Sequence, residues 1–168
     1  MLHKISKKQH NSKMCFVCGL KNSAGLQASF YETEDGALVA TLTPRTAHQS
    51  YPGRMHGGIA STILDETIGR AVMMGRDKEV WGVTLELKVE YKKPIPIGSE
   101  LRVVARITEE NSRFFSGRGE ILLADGGVAV TASGRYMKVP IEKIAEFEES
   151  EFGWEVVKGE ADPEYIDL

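Results

Sequence analysis

His56-Gly57-Gly58-Ile59-Ala60-Ser61-Thr62-Ile63-Leu64-Asp65-Glu66-Thr67 is the stretch whose reading decides the fold. Two glycines open a long apolar run, and a carboxylate stands two turns inside it. Projected at about 100° per residue, Ile59, Ala60, Ile63, Leu64, Ile68, Ala71, Val72 and Met74 cover most of the circumference. A helix that is apolar nearly all round must be wrapped by other structure, and this run is too short and interrupted to span a bilayer. The pattern predicts a helix from Gly57 to Met74, closing near Gly75.

The same stretch carries the ingredients of a site. A helix start presents unpaired N–H groups and the positive end of the macrodipole. Glycines there let a substrate approach the backbone with no Cβ in the way. On the helical wheel Asp65 falls beside Ser61, Ile68, Gly69 and Val72, so it is partly buried. Glu66 and Arg70 are four apart and can pair, whereas Asp65 meets only Gly69 at that spacing. A buried carboxylate with no local partner is a candidate for chemistry. Each element also has a plainer reading: an Asp at a helix edge, a Gly-Gly turn, a structural histidine. Their combination is what points to a site.

Outward from the helix the period changes. Residues 26–32 and 37–42 read as two strands around the turn Glu34-Asp35-Gly36. Past the helix, Val83 to Tyr91 alternates, with Leu85, Leu87, Val89 and Tyr91 on one face and Thr84, Glu86, Lys88 and Glu90 on the other. Pro94-Ile95-Pro96-Ile97-Gly98 ends that ladder. Residues 101–108, 114–123 and 128–139 are three further strands, the last pair joined at Asp125-Gly126-Gly127. Long strands in succession with short turns argue a curved antiparallel sheet around one long central helix, an α+β fold. Residues 1–12 read as a flexible tail, 13–140 as the domain, and 141–168 as a C-terminal helix, around 141–148, and tail.

At 168 residues the chain is one domain with room for a core. With 21 Lys and Arg against 24 Asp and Glu, the charge is −3, which does not point to nucleic acid. The basic start lacks an apolar signal core and no stretch suits a bilayer, so a soluble cytoplasmic protein without a membrane partner is expected. Cys15 and Cys18 form one Cys-x-x-Cys. Two ligands do not complete a tetrahedral zinc site, although His10 or a partner subunit could add to them, and no βαβ pattern supports a redox role. A plain structural role is expected, with no metal site.

Three motifs carry a resemblance: Cys15-Phe16-Val17-Cys18-Gly19 with Gly25-Leu26; His56-Gly57-Gly58 followed nine residues later by Asp65; and Tyr91-Lys92-Lys93-Pro94-Ile95-Pro96-Ile97-Gly98. In this order the chain resembles the hotdog fold, and within it the thioesterase branch of the phenylacetate-pathway and Them4-type acyl-CoA thioesterases, over roughly residues 13–139. The resemblance implies an acyl-CoA thioester hydrolase, a homodimer or dimer of dimers with active sites between subunits, and no cofactor. It implies Asp65 as general base or nucleophile, Gly58 with Gly57 as the amides that polarise the carbonyl, and His56 as a positioning residue. Gln49 matches a polar loop residue near the thioester, and Thr84 a threonine that orients water from the other subunit. Some relatives use Glu in the catalytic role, and Glu66 stands next to Asp65; the helix projection favours Asp65.

Thioester hydrolysis develops negative charge on the carbonyl oxygen. One well-placed donor there is worth about 3–4 kcal/mol, and a positioned general base roughly 10²–10⁴-fold. Coenzyme A is a good leaving group, so no metal is needed. Arg54, Lys92, Lys93 and Lys88 are candidate cations for its phosphates, and Ser61, with Ile59, Ile68 and Met73, a candidate lining of the acyl tunnel. The acyl group is expected to be small or medium. The other reading is a non-catalytic acyl-CoA-binding protein of the same fold, a sensor or carrier partner.

Overall fold

The helix starts where the sequence supplies an acceptor. His56 is extended at the N-cap, and its Nδ1 accepts the Gly58 N–H at 2.9 Å, satisfying one of the orphan amides. In this computed structural model, which describes residues 1–76 and 80–168, helix α1 spans Gly57–Arg70 and tightens into a 3₁₀ turn over Ala71–Met73. Gly75 follows at φ 66°, a left-handed conformation that ends the run.

Among the described residues, eight strands form one antiparallel sheet. They are β1 (Leu2–Lys8), β2 (Ser29–Thr33), β3 (Leu38–Leu42), β4 (Trp81–Tyr91), β5 (Leu101–Glu110), β6 (Phe114–Leu122), β7 (Val128–Val139) and β8 (Tyr165–Asp167). Their spatial order is β4-β7-β6-β5-β3-β2-β1-β8. The helix lies against β3, β4, β5, β6 and β7, the expected wrapping of a sheet around one helix. It sits deep because β6 has no side chain beneath it: a Cβ on Gly117 would come within 2.7 Å of Ile68 Cγ2. Ile63, Leu64 and Ile68 are fully buried there, each contributing about 1.5–3 kcal/mol over an exposed position.

Three expectations are corrected. The first residues are not a loose tail: Leu2–Lys8 is strand β1, pairing β2 through Ile5↔Thr33 and Lys8↔Tyr31, and β8 on its other side. Its basic composition hid a period-two pattern in which His3 and Ile5 are half-buried between exposed neighbours. Residues 141–148 are not one helix. A 3₁₀ turn spans Ile141–Lys143, and a four-residue helix, α2, spans Glu149–Phe152. Acidic side chains crowd that segment, and like charges at helical spacing oppose a longer helix.

The third correction concerns β4. Its register against β7 slips between Thr84↔Tyr136 and Glu86↔Arg135, leaving Leu85 as an extra residue. The bulge exchanges the faces. Thr84 turns to the helix, as do Leu87 and Val89 further along, which pack on the core, while Leu85 is 46% exposed. Strict alternation had placed Thr84 on the opposite face from Leu87.

Candidate active site

Asp65 is held from two strands. Thr84 Oγ1 donates to Asp65 Oδ1 at 2.8 Å, and the Tyr136 hydroxyl lies 3.1 Å from the same oxygen and 3.1 Å from the Asp65 carbonyl. Thr84 and Tyr136 are cross-strand partners on β4 and β7, so the sheet register itself converges the two hydroxyls. Tyr136 is buried and stacked on Phe115 with centroids 4.9 Å apart. Burial and the facing Asp65 carboxylate push its phenol well above the usual tyrosine range, so it remains a donor. Asp65 also lines a cavity of about 500 Å³. Trp81, Phe147, Phe152 and Trp154 supply aromatic walls to that cavity.

A second group of residues meets at the start of α1. Tyr91 donates to the Gly57 carbonyl at 2.9 Å, and its oxygen lies 2.6 Å from Ser61 Oγ. Gly57, Tyr91, Lys92 and Lys93 line a separate pocket of about 290 Å³. Arg54, next in the chain to the lining residue Met55, is bridged through its backbone to Pro96, and it is exposed.

The two glycine amides, expected to act together, differ in their surroundings. The Gly58 amide is occupied by His56 Nδ1, whereas the Gly57 amide has no acceptor among the described residues. Gly57 is therefore the amide available to a ligand. Because Nδ1 accepts, a neutral His56 carries its proton on Nε2, which then points outward as a donor. Gln49 does not reach the helix start: its Oε1 accepts the Gly53 N–H at 2.8 Å and braces the loop ahead of His56. Thr84 was expected to reach Asp65 from another subunit, and it does so within its own chain. Glu66 turns aside to Arg70, with Nε 2.8 Å from Oε1. Tyr136 escaped the sequence reading, since nothing in β7 marks one inward tyrosine as facing a carboxylate 71 residues away.

Gly57 and Asp65 are eight residues apart on one helix, a rise of about 12 Å. A carbonyl group is only about 1.2 Å long. The free amide and the held carboxylate of one chain thus lie too far apart to act on one carbonyl.

The chain is similar to known proteins. A family model described as the thioesterase superfamily matches residues 52–130. Rattus norvegicus acyl-coenzyme A thioesterase THEM4 is 30% identical over 112 residues, 66% of this chain and 47% of that protein. A Bacillus halodurans protein solved with CoA is 27% identical with a TM-score of 0.61, over 68% of this chain and 76% of that one. The E. coli PaaI protein from the phenylacetic acid degradation operon shares the fold, with a TM-score of 0.61 at 16% identity over 68% of this chain and 81% of that one. The chain has the hotdog fold, and over residues 52–130 it is similar to the thioesterase superfamily. It spans about half the length of the THEM4 relative, 47%. Among the described residues, no helix is long and apolar enough to cross a membrane.

Proposed function

We propose that the chain is an acyl-CoA thioesterase acting on a small or medium acyl group, with each active site built from two copies. The observation that carries this reading is the division of one helix into a free amide at Gly57 and a held carboxylate at Asp65, about 12 Å apart. In a two-fold dimer the Gly57 amide of one protomer meets Asp65 and Thr84 of the other. Strand β4 offers the surface for such pairing. It is eleven residues long, lies at the sheet edge, and among the described residues pairs only with β7. An edge of that length left bare is an invitation to a second strand.

In the reaction, the Gly57 amide and the positive end of α1 stabilise the developing oxyanion. Thr84 and Tyr136 fix Asp65 by Oδ1, so Oδ2 takes a proton from the water that attacks the carbonyl, or attacks it itself to give an anhydride that water then hydrolyses. Collapse of the oxyanion breaks the C–S bond, and CoA leaves as the thiolate. The acyl group enters the aromatic-walled cavity beside Asp65, whose size supports a small or medium group. Lys92, Lys93 and Arg54, beside the Gly57 pocket, suit the CoA phosphates. The name of the THEM4 relative and the CoA bound to the B. halodurans protein agree with this substrate.

Thiol release from a panel of acyl-CoAs tests the reading. Turnover with at least one member, falling at least about a hundredfold in Asp65→Asn, is expected. Tight acyl-CoA binding with no thiol release from any member would replace the enzyme with a binding protein.

A further inference from the structure

Cys15-Phe16-Val17-Cys18-Gly19 folds into a tight turn whose two sulfurs point the same way. The Gly19 N–H bonds the Cys15 carbonyl at 2.8 Å, and the Val17 N–H reaches Cys15 Sγ at 3.3 Å. Ser12 Oγ lies 3.4 Å from Cys18 Sγ. A Cβ at position 19 would fall 2.3 Å from the Cys15 carbonyl oxygen, so this turn admits only glycine. Polar hydrogens directed at sulfur are the outer support that thiolate ligands of a metal need.

Helix α1 brings a third donor. Cys15 Sγ, Cys18 Sγ and a carboxylate oxygen of Glu66 all lie within 4.8 Å of one another. Around a tetrahedral zinc ion, with sulfur at roughly 2.3 Å and carboxylate oxygen at roughly 2.0–2.2 Å, such atoms sit about 3.5–3.8 Å apart. Small side-chain rotations close that gap. Arg70 holds Glu66 Oε1, and the carboxylate has a second oxygen to offer. Two thiolates and a carboxylate carry three negative charges, and Zn²⁺ with Arg70 carries three positive ones, so the filled site is neutral. His10 is not part of this group; its ring is stacked on Trp154 and its carbonyl accepts from Arg70.

We infer that Cys15, Cys18 and Glu66 bind one Zn²⁺, with a fourth coordination position open to the cavity that Asp65 also lines. Thiolate donors select zinc over magnesium or calcium. The ion ties the loop ahead of β2 to α1, one residue from Asp65. This inference stands independently of the thioesterase reading.

The test uses the full chain, stripped with chelator under reducing conditions and then loaded with Zn²⁺ or Co²⁺. Elemental analysis after desalting is expected to give one zinc per chain, and the cobalt form to show strong thiolate-to-metal charge-transfer absorption. The Cys15→Ser, Cys18→Ser double variant should lose both signals. Glu66→Gln leaves the cysteine turn intact and, with its fold checked by circular dichroism, should weaken zinc binding at least about tenfold. Less than about a tenth of a zinc per chain, or zinc retained at full affinity by the double variant, would overturn the site. So would a cobalt form without charge-transfer absorption.

Discussion

Thr84 on β4 donates to Oδ1 of Asp65 on α1 at 2.8 Å inside one chain. Tyr136, directly across the ladder from Thr84, reaches the same oxygen. The carboxylate therefore arrives with two hydroxyls already attached.

If those hydroxyls orient the carboxylate, Thr84→Val and Tyr136→Phe should each lower kcat about tenfold or more, with KM little changed. A hydrogen bond to a charged group is worth about 1.5–3 kcal/mol. Tyr136→Phe keeps the ring stack on Phe115, so melting should shift modestly. Thr84→Ser should restore most of the rate. Unchanged kcat in both hydroxyl-deleting variants would show that Asp65 does not depend on them.

His56 caps α1 by accepting the Gly58 N–H. His56→Ala should cost about 1 kcal/mol of stability, and His56→Asn, which can cap as well, should recover it. Equal melting temperatures for the wild type and the alanine variant would remove the cap from the account. Stability regained in the asparagine variant without regained turnover would assign the Nε2 side of the ring to the reaction.

Glu110 on β5 joins Lys138 on β7 and Arg76 beyond the helix. Lys138, and then Arg76, hold its carboxyl below the usual range despite some opposing burial. A depressed carboxylate contributes stability above its unfolded value of about 4.3, lost as pH falls through the lower native value. Glu110→Gln should therefore be less stable than wild type at pH 7, by at most about 1 kcal/mol for a partly exposed pair. The difference should shrink to nothing in acid. A stability difference unchanged from pH 7 into strong acid would contradict this.

What the sequence disclosed, and what it hid, follows the range of the interactions. His56 through Thr67 is a local signal, with cap, glycines and helical period within twelve residues, and it located both the helix and Asp65. The strands followed from alternation, which failed at Leu85 because a bulge leaves no mark in the pattern of polar and apolar residues. That failure put Thr84 on the wrong face. Tyr136 acquires its partner Asp65, and Glu66 its place beside the two cysteines, only through tertiary folding. The cap that withdraws the Gly58 amide was in reach, since a histidine just before a helix can accept from its second amide.

The division of the site between two copies is tested most directly by complementation. Asp65→Asn removes the carboxylate from one chain. Gly57→Pro removes the free amide from another at the first helical position, which proline favours, and His56 before it is already extended at ψ 134°. Each variant alone should be inactive. When the two are co-expressed in equal amounts, half the dimers are mixed and each mixed dimer holds one intact site, so about a quarter of wild-type turnover should return. Mixed dimers confirmed by native mass spectrometry yet without recovered thioester hydrolysis would contradict the shared site.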